Sequence, residues 1–195
     1  MVDRDRIERA VREILEAIGE DPDRDGLRRT PARVADAYAE FFVGLDVDPA
    51  ESLRDSVPLA LAADGSPGTS EAVILRDIRF RSVCEHHLLP FVGVAHIAYL
   101  PGERVVGLSR IPELVSTLSA RPQLQERLTE EIADVLVAGL APRGALVVLD
   151  AVHRCVAARG SRQSDSSTIT LASRGELTEP LARAEIMGLI GAARV

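Results

Sequence analysis

Both cysteines of this 195-residue chain, and three of its four histidines, fall in two short segments. The first is Cys84-Glu85-His86-His87, and the second, whose cysteine comes 71 residues after that of the first, is His153-Arg154-Cys155. The C-x-x-H spacing of Cys84 and His87 lets a tight turn aim a thiolate and an imidazole at one point, and Cys155 adds a third ligand. Two cysteines and one histidine form a soft ligand set that suits zinc.

Three protein ligands leave the fourth position of a tetrahedral site open. Structural zinc sites normally close with four protein ligands, whereas catalytic sites keep one position for water or substrate. The segment after the apolar run 145–149 reads as a strand, on which His153 and Cys155 share one face. A histidine beside an open zinc position is placed for proton transfer. The sequence therefore predicts a catalytic metal site.

Two other roles for the cysteines are open. They could form a disulfide, but nothing resembling a secretory signal opens the chain, and a disulfide gives no reason for the neighbouring histidines. Either thiol could instead pack in a core, because free cysteine is often buried. That explanation also leaves the histidines unexplained, so we favour the metal site.

The composition restricts the class of protein. Hydrophobic residues make up 46% of the chain, and no apolar run approaches the ~20 residues that cross a bilayer, so a cytoplasmic protein without a membrane partner is expected. A net charge of −7 argues against nucleic-acid binding. All 23 basic residues are arginine, which excludes lysine nucleophiles and leaves anion recognition to arginines and helix N-termini.

Two amphipathic helices are predicted before the first cysteine. Helical periodicity runs over 7–18, and a second helix has Thr30 as its N-cap and Pro31 at its first position. The pattern breaks down over 44–70, where Gly65-Ser66-Pro67-Gly68 predicts a flexible connection. We therefore divide the chain into an N-terminal helical arm and linker, 1–70, and a catalytic domain, 71–195.

The catalytic domain has the pattern of an α+β fold. Four strands are predicted, over 71–82, 91–100, 144–157 and 166–171. Helices are predicted over 110–120 and 123–140, with a last one opening at Thr178-Glu179-Pro180. This order predicts an antiparallel four-stranded sheet, with two helices inserted between the strand pairs and the helices on one face. Its free edges and other face favour pairing between copies of the chain.

Several motifs extend the pattern around the cysteines. They are Ser82-x-Cys84-Glu85-His86-His87-Leu88-Leu89-Pro90-Phe91, Gly107-Leu108-Ser109, Gln123-x-Gln125-Glu126-Arg127-Leu128-Thr129, and His153-x-Cys155 with Arg159-Gly160. Together they resemble the GTP cyclohydrolase I family, over a stretch from Thr30-Pro31-x-Arg33-Val34 to the last helix. The resemblance implies the tunnelling fold, in which five subunits pool their sheets into a barrel and two barrels stack as a decamer with active sites between subunits.

The resemblance also implies a reaction. Cys84, His87 and Cys155 would hold Zn²⁺, and activated water would open the imidazole ring of GTP, release C8 as formate and lead to 7,8-dihydroneopterin triphosphate. His153 would protonate the imidazole nitrogen, and His86 would orient water or relay protons.

Further residues match the family's substrate positions. Glu126 would accept hydrogen bonds from guanine N1 and the 2-amino group, and Gln125 beside it is placed with the substrate-binding residues. Ser109, placed with the catalytic residues, matches a position near the ribose and phosphates. His96 lies away from these motifs and is expected to be structural.

The departures from the family lie where it binds triphosphate. Its basic positions map to Arg33, Asp36, Arg110, Glu113 and Arg159, so two of the five are acidic here. Each reversal replaces attraction to a polyanion with repulsion.

Three explanations of these departures are open. Other arginines could replace the lost charges: Arg28, Arg29, Arg121 or Arg162. The substrate could be a guanine nucleotide or nucleoside with fewer phosphates. The chain could also be a non-catalytic regulatory homologue that binds a nucleotide or pterin, although the intact histidines argue against this.

Overall fold

The computed structural model describes residues 2–59, 71–160 and 162–191. The helices are α1 (Arg4–Ala17), α2 (Thr30–Phe41), α3 (Arg110–Ser119), α4 (Gln125–Leu140), α5 (Arg154–Ala157) and α6 (Pro180–Gly191). The strands are β1 (Val57–Pro58), β2 (Val73–Cys84), β3 (Pro90–Leu100), β4 (Arg104–Val105), β5 (Pro122–Gln123), β6 (Gly144–His153) and β7 (Thr168–Gly175). Short 3₁₀ helices cover Val43–Asp46, Pro49–Leu53 and Glu176–Thr178. The predicted connection at Gly65-Ser66-Pro67-Gly68 lies outside the described residues.

The main sheet has the strand order β5-β2-β3-β6-β7. Strands β2, β3, β6 and β7 pair antiparallel, which confirms the predicted α+β fold and its four-stranded antiparallel core. Strand β5 adds a short parallel pairing to the end of β2, so the sheet is mixed rather than purely antiparallel. Strands β1 and β4 form a separate two-stranded sheet. Two-residue strands carry no periodicity, so the sequence could not predict them.

Both faces of the sheet are covered by helices. On one face Ile97 and Leu149 pack with residues of α3 and α4 in the larger core. On the other face Leu146 and Val148 pack with Ile186 of α6. The prediction that the helices lie on one face is therefore wrong for α6. Successive residues of a strand point to opposite faces, so the apolar run of β6 contributes to both cores.

Two strand boundaries differ from the prediction. Strand β6 ends at His153, and the next four residues form the one-turn helix α5. Cys155 therefore lies on α5, and the prediction that it shares a strand face with His153 is wrong. Strand β7 covers Thr168–Gly175 rather than 166–171.

The N-terminal arm consists of α1 packed against α2. Asp3 caps α1 by accepting a hydrogen bond from the Arg6 N–H at 3.0 Å. Helix α2 begins at Thr30, and its N-cap residue is Arg29, which makes no side-chain capping bond. The prediction of Thr30 as the N-cap is therefore wrong by one residue, while Pro31 stands in the first turn as expected.

The segment after the arm packs on the larger core. The 3₁₀ helix Pro49–Leu53 contacts both α3 and α4. Leu53 is only 1% exposed and belongs to that core, although the sequence places it in the arm and linker. Among the described residues, no helix is both long and apolar enough to cross a membrane.

Candidate metal centre and surrounding site

The predicted ligand atoms converge. The Sγ atoms of Cys84 and Cys155 and a ring nitrogen of His87 lie within 4.8 Å of one another. Both cysteines are free thiols, so the disulfide alternative is not observed. Cys84 is buried, Cys155 is partly buried and His87 is exposed. Two sulfur donors and one imidazole fit a soft ion such as zinc, with room for a water or substrate ligand.

A tight turn explains the C-x-x-H spacing. Cys84 is the last residue of β2, and its N–H donates to the Leu89 carbonyl at 2.9 Å. The Leu88 N–H donates in return to the Cys84 carbonyl at 2.8 Å. Leu88 has φ 51°, a left-handed conformation that closes the turn. The chain therefore reverses within four residues and brings His87 back beside Cys84.

Contacts from β5 and the start of α4 hold this turn in place. The Glu85 N–H donates to the Gln123 carbonyl at 3.1 Å, and the Glu85 carboxylate forms an ion pair with Arg127. Arg127 also donates through Nε to the Gln123 side-chain oxygen at 3.2 Å, and Gln123 is 2% exposed. The sequence motifs contain these residues, but the pattern alone gave them no role.

His153 is fixed from two sides. Its Nε2 lies 2.7 Å from Oε1 of Gln125, and its ring stacks on Phe91 with a centroid distance of 4.5 Å and an interplanar angle of 7°. Burial lowers the pKa of His153, while the nearby Glu126 carboxylate opposes that shift. The structure thus places Gln125, Glu126 and His153 in one neighbourhood. No sequence periodicity indicated the stacking role of Phe91.

Burial, Cys84 and Arg159 all act on the pKa of the Cys155 thiol. Burial raises the pKa of the Cys155 thiol, the neighbouring Cys84 raises it further, and the positive charge of Arg159 lowers it. Two adjacent thiols resist ionising together because the two negative charges repel each other. A bound cation coordinated by both thiolates would offset this repulsion. Arg159 is exposed, and its predicted contact with phosphate stays a prediction.

The remaining predicted residues around the ligand set differ in exposure. Glu126 is exposed and lines a cavity of about 480 Å³ with Thr170 and other residues of α4 and β7. Gln125 is only 1% exposed, so its side chain faces the protein interior. His86 is exposed, with its ring centroid 6.3 Å from that of His87. Ser109 is exposed and immediately precedes α3.

The positions predicted to bind phosphate are partly engaged within the chain. Arg110 forms ion pairs with Glu113, at 2.9 Å, and with Asp55. Asp36 pairs with Arg4 at 3.2 Å. Both acidic replacements therefore contact arginines of the same chain.

Arg33, which is predicted to bind phosphate, lies on α2, and His96, which is predicted to be structural, lies on β3. Arg33 is exposed in the first turn of α2. His96 accepts a hydrogen bond from the Asp77 N–H at 3.2 Å, beside the irregularity in β2, and this contact fits the structural role predicted for it.

The fold and the site define a class of protein: α+β chains in which the turn after one sheet strand and the helical turn after another present a Cys-His-Cys ligand set beside a partly buried histidine. The family model for GTP cyclohydrolase I matches residues 7–191. The chain belongs to this family, and the resemblance read from its motifs is confirmed.

Similar proteins align over nearly all of the chain. GTP cyclohydrolase 1 of Leifsonia xyli subsp. xyli is 64% identical over 189 residues, covering 97% of this chain and 96% of the relative. The protein of the same name from Caldanaerobacter subterraneus subsp. tengcongensis is 49% identical over 196 residues and covers both chains fully. That of Rhodopirellula baltica is 52% identical over 193 residues, covering 98% of this chain and 81% of the relative.

Proposed function

We propose that the protein is a zinc-dependent GTP cyclohydrolase I. It opens the imidazole ring of GTP by hydrolysis, releases C8 as formate and yields 7,8-dihydroneopterin triphosphate, a pterin precursor for tetrahydrofolate and one-carbon metabolism. The observation that carries this proposal is the convergence of the Cys84, His87 and Cys155 donor atoms within 4.8 Å. Relatives named GTP cyclohydrolase 1 at 47–64% identity support the choice of reaction.

The metal would be held by Cys84, His87 and Cys155, whose thiolate and imidazole donors suit zinc better than magnesium or calcium. When bound, zinc supplies Lewis acidity that allows water to react as hydroxide near neutral pH. Glu85 and Arg127 would hold the turn that carries two of the ligands, because they link it to α4.

Two histidines would move protons during ring opening. His153 would protonate the imidazole nitrogen of guanine as C8 becomes tetrahedral. Its stacking on Phe91 restricts the ring plane, so the proton would be delivered in a fixed direction. His86, which is exposed beside His87, would orient the attacking water or relay protons as formate leaves.

The remaining site residues would bind the substrate. The Glu126 carboxylate would accept two hydrogen bonds from guanine, and the cavity it lines is large enough for a planar base. Ser109 would contact the ribose, and Arg110, Arg159 and Arg33 would contact the phosphates.

A second candidate substrate has fewer phosphates than GTP. The observation in its favour is that Arg110 is paired with two carboxylates, those of Asp55 and Glu113. A phosphate would have to compete with both for the same guanidinium group. The two candidates share the ring chemistry and differ only in the phosphate contacts.

We expect a homo-oligomer, with the decamer of two pentamers as the specific prediction. Strand β7 lies at one edge of the sheet and carries exposed Ile169 and Leu171. On the side of β2 that faces away from β3, pairing within the described residues is limited to β5, at Val83 and Cys84. Edge strands of this kind pair readily with copies of themselves. Light scattering on the purified protein measures the number of subunits.

The test of the proposed function is formate release. Purified protein with a measured zinc content is incubated with GTP, and formate and the pterin product are quantified together. One formate per GTP consumed, lost on chelation and restored by zinc, is the expected result. Nucleotide binding without formate would instead identify a regulatory homologue.

A further inference from the structure

Gln125 lies at the centre of a buried hydrogen-bond network. Its side-chain nitrogen is 2.8 Å from the Thr168 carbonyl, 3.2 Å from the Leu149 carbonyl and 3.1 Å from Oγ1 of Thr170. Oγ1 of Thr129 donates to the Gln125 backbone carbonyl at 2.7 Å and lies 2.6 Å from Oγ1 of Thr170. With the side chain of Gln125 1% exposed, these groups leave it little access to a ligand.

The network has only one consistent direction. Because Thr129 uses its hydroxyl proton on the Gln125 carbonyl, it must accept the proton of Thr170. Thr170 then has a lone pair, and no proton, to offer the Gln125 side chain. The two backbone carbonyls of Leu149 and Thr168 are also acceptors only. All three neighbours are therefore acceptors and place the NH₂ group of Gln125 on their side, with its two protons shared among them, which turns its Oε1 towards His153.

This orientation fixes the tautomer of His153. Oε1 of Gln125 is an acceptor, and it lies 2.7 Å from Nε2 of His153, so Nε2 must carry the proton in the neutral ring. The other nitrogen, Nδ1, is left with the lone pair. We propose that Gln125 is a positioning residue that holds His153 as the Nε2–H tautomer, so that Nδ1 is the atom that exchanges a proton with substrate or water. The proposal rests on the role of His153 in the proposed function.

This role differs from substrate binding, which is the role that the sequence motifs predict for Gln125. A substrate-binding glutamine would present its amide to the guanine cavity, whereas this amide is used by Leu149, Thr168, Thr170 and His153. Glu126, the next residue, is exposed and lines the cavity. Consecutive residues of α4 thus have different roles, because Gln125 faces inward to His153 and Glu126 faces outward to the cavity.

The tautomer is measured directly by magic-angle-spinning NMR of the zinc-loaded protein labelled with ¹⁵N-histidine. The His153 signals are assigned by their loss in His153→Asn. We expect the protonated ε and unprotonated δ nitrogens in the wild type. A wild-type spectrum with the proton on Nδ1 overturns the proposal, whatever the variants do.

The variant that tests the cause is Gln125→Met, which keeps the size of the side chain and removes the acceptor. We expect the Nε2–H tautomer to lose its dominance, kcat for GTP to fall by at least about tenfold, and KM to stay within about threefold, with zinc content unchanged. A rise in KM at unchanged kcat would make Gln125 a substrate-binding residue. An unchanged tautomer in the folded variant would also contradict the proposal.

Gln123→Met is the matched control, because Gln123 is about as buried and its side chain bonds to Leu118, Glu131 and Arg127 rather than to His153. It should lose stability without altering the His153 signals. If the proposed function were wrong, the wild type would release no formate while its tautomer could still be measured. If the tautomer assignment were wrong, formate would be released with the other spectrum. The two failures are therefore distinguishable.

Discussion

Cys155 is the proposed metal ligand that lies outside the turn after β2. Cys84 and His87 come from one turn, whereas Cys155 comes from α5, at the far end of β6. We expect purified wild type to bind about one zinc per chain and Cys155→Ala to lose it, because two protein ligands bind zinc far more weakly than three. Elemental analysis after dialysis measures the difference.

The control for this variant is Val156→Ala, on the same short helix, since Val156 is 40% exposed and has no donor atom. It should keep its zinc. Full zinc retention by Cys155→Ala would remove Cys155 from the site.

A variant at His153 would test catalysis separately from metal binding. Its Nε2 contacts Gln125 and its ring stacks on Phe91, so truncation would remove the proposed proton-transfer group and none of the three proposed ligands. We expect His153→Ala to keep its zinc and to lower kcat for formate release by about a hundredfold or more. The control is His96→Ala, which removes a histidine bonded to the backbone of Asp77 and should stay near wild-type turnover. Near-normal activity of His153→Ala would exclude it from the mechanism.

At the scale of elements, long periodic segments were predictable and short ones were not. The apolar spacing of Leu128, Ile132 and Leu136 indicated α4 because one face of a helix repeats every three or four residues. Helix α5 and strand β5 are too short for any period, and each lies beside the site: α5 carries Cys155 and β5 carries Gln123. Sequence motifs therefore predicted residues whose donor atoms converge, while the elements that orient them required the structure.

The hydrogen bonds of Gln125 show the same limit at longer range. Its partners Leu149 and Thr168 are 24 and 43 residues away along the chain. Nothing in the motif around Gln125 indicates that these carbonyls converge on its amide. The motif predicted a substrate-binding residue, whereas the pairing of β6 with β7 beside α4 supports the positioning role proposed above.

The segment Pro49–Leu53 gives a test of how the chain is divided. Leu53 is buried against α3 and α4, and its Cδ1 would lie 2.6 Å from a Cβ added at Gly139. We expect Leu53→Ala to lower the free energy of unfolding by about 2–5 kcal/mol, since a buried leucine leaves a cavity. Chemical denaturation monitored by circular dichroism measures the change.

Leu45→Ala is the matched control, because Leu45 lies in the neighbouring 3₁₀ helix and is 53% exposed. It should change the free energy of unfolding by about 0.5 kcal/mol or less. A loss below about 1 kcal/mol for Leu53→Ala would mean that Pro49–Leu53 contributes little to the core and behaves as part of a peripheral linker, as the sequence division implies.

At the scale of the whole molecule, charge is the property most at odds with a triphosphate substrate. The chain carries a net charge of −7, and two positions that the resemblance assigns to phosphate binding are acidic here. The structure adds that Glu113 and Asp55 both pair with Arg110. At Asp36 and Glu113 a triphosphate would meet negative groups, and at Arg110 it would meet a guanidinium group that is already paired with two carboxylates. The cost of this arrangement should grow with the number of phosphates on the substrate.

The double variant Asp36→Lys, Glu113→Arg tests this cost. We expect it to raise kcat/KM for GTP by roughly tenfold, with little change for guanosine, because only the phosphates sense the new charges. Formate release is measured from GTP, GDP, GMP and guanosine at one ionic strength, and the gain for GTP should shrink as salt is added. The control, Glu13→Lys with Glu179→Arg, makes the same change in net charge at exposed positions elsewhere and should leave the substrate order unaltered. If the wild type already prefers GTP over GMP by about a thousandfold or more, the acidic positions do not weaken triphosphate binding, and other arginines, such as Arg121 or Arg162, would have to supply the missing charge.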